Sequence, residues 1–293
     1  MNWRKYLKGK TKLKEPLKKH TTFKIGGPAD FFFEPKDEED LKSLLLGLKK
    51  YRIPFKIIGA GSNILAGDNR LPLAVLRLSS AFFKRVEFKG KILEAGSGAS
   101  LGRLIRFAQA RGLSGLEFLS GIPASLGGAI AMNAGWKGKG IADVIKEVTV
   151  MDHQGNVKRL DKKQIRFTYR NADLSKYIIL RALLRLSSKD KRRIREAIRK
   201  NLIYRRQTQD LSAPSAGCIF KNPPGASAGK LIDLCGLKGK KAGGARVSSK
   251  HANFILNSGD ARAGDVLNLM SLISRKVKNK FGVGLKPEIK IWR

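Results

Sequence analysis

The chain has 293 residues, 42% of them hydrophobic and 28% charged, which suits a folded protein with one large domain or two to three small ones. Lys and Arg number 60 against 23 acidic residues, a formal charge of +37, yet the cations are scattered without a long block or interleaved aromatics, which argues against a nucleic-acid platform. Cys218 and Cys235 form no short metal or redox pair and fit a reduced, cytoplasmic setting, His20, His153 and His251 are too dispersed for a metal site, and the charged start from Met1 to Lys19 is no signal peptide.

In chain order, His20 to Gly27 leads into a strand-like run, Ala29 to Glu34, closed by Pro35. Asp37 to Tyr51 predicts a helix, with acidic residues in its first turn, Lys49 and Lys50 in its last, and Leu41, Leu44, Leu45 and Leu48 on one face. The apolar run Phe55 to Ile58 has strand character and stops at Gly59 and Gly61. Glycines there let backbone amides approach a phosphate, and Ser62 and Asn63 add side-chain donors, so the turn has the chemistry of a diphosphate cradle. No third glycine opens a helix, which disfavours the dinucleotide fingerprint, and a plain tight turn is the alternative.

Ala74 to Ala95 is strand-like, and Gly96-Ser97-Gly98-Ala99-Ser100 makes a second glycine turn whose Ser100 caps a helix from Leu101 to Arg111, stopped at Gly112. Phe118 to Trp136 carries no charge and has nearly membrane-spanning length. Pro123, four glycines and Asn133 make it a poor spanning helix and a better buried ligand loop. Lys146 to Asp152 and Val157 to Leu160 form a hairpin, which Phe167 to Arg170 and Ile178 to Leu186 extend as a sheet. A composition shift at Ser187 to Lys191 marks a domain boundary. Beyond it lie a basic helix capped by Asp190 with Ile194, Ile198 and Leu202 inward, a short helix near Ala228 to Cys235, a strand at Ala252 to Leu256, a long helix from Ala263 to Phe281, and a closing strand from Leu285 to Ile291.

Several stretches, taken together and in this order, carry a resemblance: His20-Thr21-Thr22-Phe23-Lys24-Ile25-Gly26-Gly27-Pro28-Ala29, the turn Gly59 to Asn63, Gly121-Ile122-Pro123 with Asn133-Ala134-Gly135, Tyr169-Arg170, Ser215 to Pro223, His251 to Ile255, and Pro287-Glu288-Ile289. The chain resembles the UDP-N-acetylenolpyruvoylglucosamine reductases, flavoenzymes that finish UDP-N-acetylmuramate in bacterial wall synthesis. It looks like their shorter type II subtype, since little room remains between Arg170 and Leu186 for a tyrosine-bearing substrate loop.

The resemblance implies an α+β protein: an FAD-binding fold of the vanillyl-alcohol-oxidase (PCMH) type in two α+β subdomains, 1–75 and 76–187, plus a C-terminal α+β substrate-binding domain, 188–293. It implies non-covalent FAD with NADPH as hydride donor, a sugar-nucleotide substrate, a cytoplasmic monomer, no metal, and neither nucleic acid nor membrane insertion. Ile58, Gly59, Ala60, Gly61, Ser62, Asn63 and Ile64 would hold the cofactor diphosphate. Gly121, Ile122, Pro123, Ala124 and Ser125, with Gly127, Gly128 and Asn133, would pack against the flavin and adenosine portions. The enolate-like intermediate needs a proton donor and charge stabilisation. Cys218 stands where the family has serine, and a thiol with an ordinary pKa of about 8.5 stays mostly protonated at neutral pH. Arg170 would grip the substrate carboxylate, Glu288 would assist protonation, and Tyr169, Arg206, Lys221 and Asn222 would meet the UDP portion. The alternatives are another FAD-dependent oxidoreductase on the same cofactor fold and, from charge alone, a basic nucleic-acid-binding protein.

Overall fold

The computed structural model describes residues 3–293. The chain divides into two compact units, one taking the chain up to Leu13, Phe31–Ala60 and Leu73–Ile203, the other Lys14–Asp30, Gly61–Pro72 and Tyr204–Arg293.

In the first unit, Phe55–Ile57 runs parallel to Leu71–Leu76, with Phe55 opposite Ala74 and Ile57 opposite Leu76. These two strands lie at one side of a four-stranded sheet that also holds Lys10–Pro16 and Pro28–Glu34. Helix Glu38–Lys50 begins where the Asp37 carboxylate accepts the Asp40 amide at 2.9 Å. Three acidic residues in its first turn and two lysines in its last match the helix dipole. Its buried Leu41, Leu44, Leu45 and Leu48 pack with Phe33, Leu76 and Ile178, each contributing about 1.5–3 kcal/mol of apolar burial.

The larger sheet of this unit is antiparallel throughout, in the order Val157–Asp161, Ile145–Asp152, Tyr177–Arg185, Ile92–Gly96, Val86–Lys89. Alternation along Tyr177–Arg185 sends Ala182 and Leu184 into a core shared with Leu93, Ala95, Val148 and Val150. Helix Leu101–Ala110 and the short helix Leu126–Ala131 complete that core through Leu101, Leu104, Ile105, Leu126 and Ile130. Ser100 caps the first of them by accepting the Arg103 amide at 3.3 Å.

The second unit gathers Phe23, Ile25, Leu65, Ile219, Phe220 and Val247 around one face of helix Ala263–Phe281, whose Val266, Met270, Ile273 and Val277 are buried. Gly282 ends that helix in the left-handed region, φ 71°, where glycine carries no Cβ penalty. A meander of Lys241–Ala242, Ala245–Val247 and Ile255–Asn257 packs nearby, and Ile64–Ala66 pairs in parallel with Lys290–Trp292.

Some expected elements differ. Phe167 to Arg170 does not extend the larger sheet: Phe167–Thr168 folds back on Asn171–Ala172, because the chain reverses at Arg170, φ 56°. Ala74 to Ala95 is three strands, interrupted by a turn at Phe82–Lys84. The basic helix spans Lys191–Thr208, with Asp190 accepting the amides of Arg192 and Arg193 and with Ile194 and Ile198 inward, but Leu202 is exposed. The last strand covers only Lys290–Trp292, since Lys286 and Glu288 bond instead to the segment after Cys218.

Candidate functional site

Two predicted loops meet inside the first unit. The amide of buried Ile58 donates to Leu76 at 2.9 Å and fixes the end of the strand. Gly59 then passes so close to Ser125 that a Cβ on it would overlap Ser125 Oγ and touch Gly128. A glycine is therefore demanded by close approach. Ser125 Oγ accepts the Gly128 amide at 3.3 Å, while Leu126 and Gly127 donate to Ala99 and Ser97, both at 2.8 Å, and Leu101 donates to Ala124 at 3.0 Å. The amides opening the short helix are thus consumed by the turn Gly96–Ser100. Gly121, φ 80°, lies with Ile122 and Pro123 ahead of this junction.

The open amides lie at the first glycine turn. Among the described residues, the amides of Gly59, Ala60, Gly61 and Ser62 donate to no group of the protein. Gly61 has φ 69°, and a Cβ there would overlap the His20 carbonyl oxygen. Four consecutive uncommitted amides suit an oxyanion. Two buried hydroxyls, Ser97 and Ser120, also have no partner among the described residues. Buried polar atoms without a partner are uncommon, and a bound ligand or water satisfies them. These features fit FAD. Neither serine was singled out from sequence, although Gly96-Ser97-Gly98 repeats the glycine-serine pattern of Gly61-Ser62.

Tyr169 and Arg170 occupy the hairpin turn between Phe167–Thr168 and Asn171–Ala172. Arg170 Nη1 donates to the Gly135 carbonyl at 2.9 Å, and its guanidinium sits 5.5 Å from the centre of the Tyr169 ring. Asn133 Nδ2 donates to Thr168 at 3.0 Å and its Oδ1 accepts the Ala142 amide at 3.3 Å. Asn133, Gly135 and Arg170 thus form one tethered cluster, in which the Asn133 amide group is engaged with the protein itself.

In the second unit Cys218 and Glu288 lie on neighbouring stretches of backbone. The Glu288 amide donates to Ile219 at 2.8 Å, the Lys221 amide donates to Lys286 at 2.9 Å, and Phe220 pairs with Pro287. On its other side the Cys218 stretch pairs with Phe254, the Ile219 amide donating to Asn253 at 2.9 Å. Asn253, buried, brackets Phe220: its Oδ1 accepts the Phe220 amide at 2.9 Å and its Nδ2 donates to the Phe220 carbonyl at 2.8 Å. Asn63 joins the group, donating Nδ2 to the Glu288 carbonyl at 3.2 Å and accepting the Lys290 amide at 2.9 Å. Gly217, φ 73°, turns the chain into Cys218, which is half-buried and in no disulfide.

The remaining candidates are dispersed in role. Asn222 Oδ1 accepts the Ala228 amide at 3.0 Å, ahead of helix Ala228–Leu234. Arg206 is exposed, and its carbonyl accepts from Lys250 Nζ. His251 is held neutral more readily than usual: burial lowers its pKa, and Lys238 adds to the effect. Hydrogen bonds from the Ser212 side chain and from Ser248 hold the Asp210 carboxyl below its usual range, against the opposing effect of burial.

A glycine turn with open amides on a mixed α+β scaffold suits a diphosphate-bearing cofactor, and together with its family likenesses it makes the chain an FAD-dependent oxidoreductase of the vanillyl-alcohol-oxidase fold. Residues 29–161 match the family model for an FAD binding domain, and residues 209–292 match that for the UDP-N-acetylenolpyruvoylglucosamine reductase C-terminal domain. The UDP-N-acetylenolpyruvoylglucosamine reductase of Caldanaerobacter subterraneus is 44% identical over 97% of this chain and 94% of its own, and that of Bacillus subtilis is 38% identical over the same shares. The crystal structure of the Thermus caldophilus enzyme superposes with a TM-score of 0.84 at 37% identity, covering 98% of this chain and 100% of that one. This chain belongs to the UDP-N-acetylenolpyruvoylglucosamine reductase family. No helix among the described residues is long and apolar enough to cross a membrane.

Proposed function

We propose that the chain reduces the enolpyruvyl double bond of UDP-N-acetylglucosamine-enolpyruvate to give UDP-N-acetylmuramate, using NADPH, in peptidoglycan precursor synthesis. Ile58 to Ile64 would hold FAD, which would supply the hydride-transfer chemistry between NADPH and the substrate double bond. The open amides of Gly59 to Ser62 receive its diphosphate. Gly121 to Ser125, Gly127 and Gly128 present backbone to its rings, and Asn133 keeps the neighbouring hairpin in place. The functional parts are then 1–75 and 76–187 for the cofactor and 188–293 for the sugar nucleotide, in a monomeric cytoplasmic enzyme.

As negative charge builds beside the substrate carboxylate, Arg170 holds that carboxylate with its planar guanidinium. The S–H bond of Cys218 breaks as a C–H bond forms on the carbon next to the carboxylate, and Glu288 assists that transfer. Tyr169, Arg206, Lys221 and Asn222 engage the diphosphate and sugar. The observation that supports this reading is the 2.8 Å bond from the Glu288 amide to the Ile219 carbonyl, which brings the backbone at Glu288 beside the stretch that carries Cys218.

Anaerobic single-turnover spectroscopy tests it. The purified protein is expected to be yellow, to bleach with NADPH, and to regain its colour only when the enolpyruvyl nucleotide is added. A protein that reoxidises with unrelated 2-hydroxy or sugar substrates instead would be a different oxidoreductase of this fold.

A further inference from the structure

A cavity of about 530 Å³ opens in the second unit, lined among others by Lys24, Ser212, Arg246, Asn257 and Ser258, residues that the proposed reaction does not use. We propose that it binds a free, phosphate-type dianion.

Arg246 sits in the middle of strand Ala245–Val247. Its neighbours Ala245 and Val247 are wholly buried in the core, so alternation along the strand sends Arg246 to the opposite face, where it lines the cavity. The guanidinium is out of balance there. Its Nε is buried and has no hydrogen-bond partner among the described residues, and no carboxylate pairs with it or with Lys24. A half-buried guanidinium on a cavity wall with no carboxylate among the described residues to pair with is stabilised by an anion brought against it.

The Asp210 carboxylate, bonded to Ser212 on the cavity wall, is not that anion. Asp210 accepts from the amide of Ser212 at 3.1 Å, from Ser212 Oγ at 2.6 Å and from Ser248 Oγ at 2.8 Å. Asn257 is equally committed, donating to Phe23 and accepting the amides of Gly259 and Ala261. The donors left to a ligand are Arg246, the exposed Lys24 ammonium and the Ser258 hydroxyl. A planar fork, a point charge and a hydroxyl on one cavity match a tetrahedral, doubly charged oxyanion better than chloride or a single carboxylate.

The test uses the FAD-loaded full chain and inorganic phosphate as the probe, with sodium chloride at matched ionic strength as the reference. Phosphate is expected to raise the thermal midpoint saturably, and calorimetric titration to give one site per chain with chloride absent from it. Arg246→Gln and Lys24→Gln each weaken that phosphate affinity at least tenfold, while flavin content stays at the wild-type level. Because Lys24 is exposed, its variant keeps the test valid should Arg246→Gln fold poorly. Lys221→Gln and Arg206→Gln retain the phosphate response. Unchanged affinity in Lys24→Gln and in folded Arg246→Gln overturns the proposal. So does a response lost in Lys221→Gln or Arg206→Gln, which would place the anion with the proposed sugar-nucleotide residues, and so does a phosphate effect no larger than that of chloride.

Discussion

Asn253 holds the Phe220 peptide from both sides, accepting its amide at 2.9 Å and donating to its carbonyl at 2.8 Å, two residues beyond Cys218. An asparagine that acts as a surrogate backbone strand in this way fixes the path of the chain on which the proposed acid rides. Replacing it with leucine leaves a buried amide and carbonyl unsatisfied, at a cost of about 1–3 kcal/mol for each group. Asn253→Leu is expected to lower the denaturant midpoint and to slow reoxidation of the reduced flavin by the enolpyruvyl nucleotide, while leaving bleaching by NADPH near the wild-type rate. Equal slowing of both half-reactions would assign Asn253 a purely structural part.

That role shows how far the sequence reaches and where it stops. Helix Ala263–Phe281 is legible from the sequence, because Val266, Met270, Ile273 and Val277 repeat at helical spacing. The strand Phe55–Ile57, read one residue longer, is also legible from the glycines that follow it. Leu202 reads as inward from periodicity alone, yet it is exposed, since burial of the basic helix is carried by Ile194 and Ile198. Asn253 and Ser97 show in the sequence only as members of the His251 to Ile255 stretch and of the turn Gly96–Ser100, with nothing there to mark the contacts they make. The role of the first comes from a partner 33 residues away, and that of the second from a buried hydroxyl with no partner among the described residues. Phe167 to Arg170 reads as strand, but the chain turns back at Tyr169–Arg170, where Arg170 takes a positive φ that an arginine's own propensity does not announce.

Gly59 and Ser125 supply a steric prediction. A Cβ at Gly59 collides with Ser125 Oγ, so Gly59→Ala is expected to displace the loop and to lower flavin occupancy of the purified protein at least severalfold. Ser125→Ala removes the colliding oxygen at the loss of a helix cap, about 1 kcal/mol. The double variant should therefore recover flavin content above that of Gly59→Ala, measured as the ratio of flavin to protein absorbance. No recovery would mean that the glycine is required for its open amide or its backbone freedom.

For the proposed acid, side-chain chemistry separates the outcomes. Cys218→Ala removes the acidic side-chain proton at that position and is expected to reduce turnover by about 100-fold or more, the scale of a positioned general acid. NADPH should still bleach its flavin. Cys218→Ser restores a hydroxyl at the same place and should retain substantial turnover. Wild-type turnover in Cys218→Ala would remove the thiol from the reaction.

His251 carries the pH prediction. It lies in the second unit with its ring centre 4.7 Å from that of Phe254, its Nδ1 accepting the Asn253 amide at 3.3 Å and its own amide donating to Ser248 at 3.0 Å. Burial, helped by Lys238, lowers its pKa from the ordinary value of 6.5, so the unfolded chain takes up a proton at a higher pH than the folded one does. Stability therefore rises with pH across this interval: the contribution is complete above about 6.5 and is lost as pH falls through the lower folded value. The urea midpoint of the wild-type protein should fall between pH 7.5 and pH 5 by more than that of His251→Gln, which has no group to protonate. Protonation would also break the Nδ1 acceptance of the Asn253 amide, so the loss should extend to the bracket around Phe220. Parallel midpoint curves for the two proteins would show that the histidine does not titrate with folding.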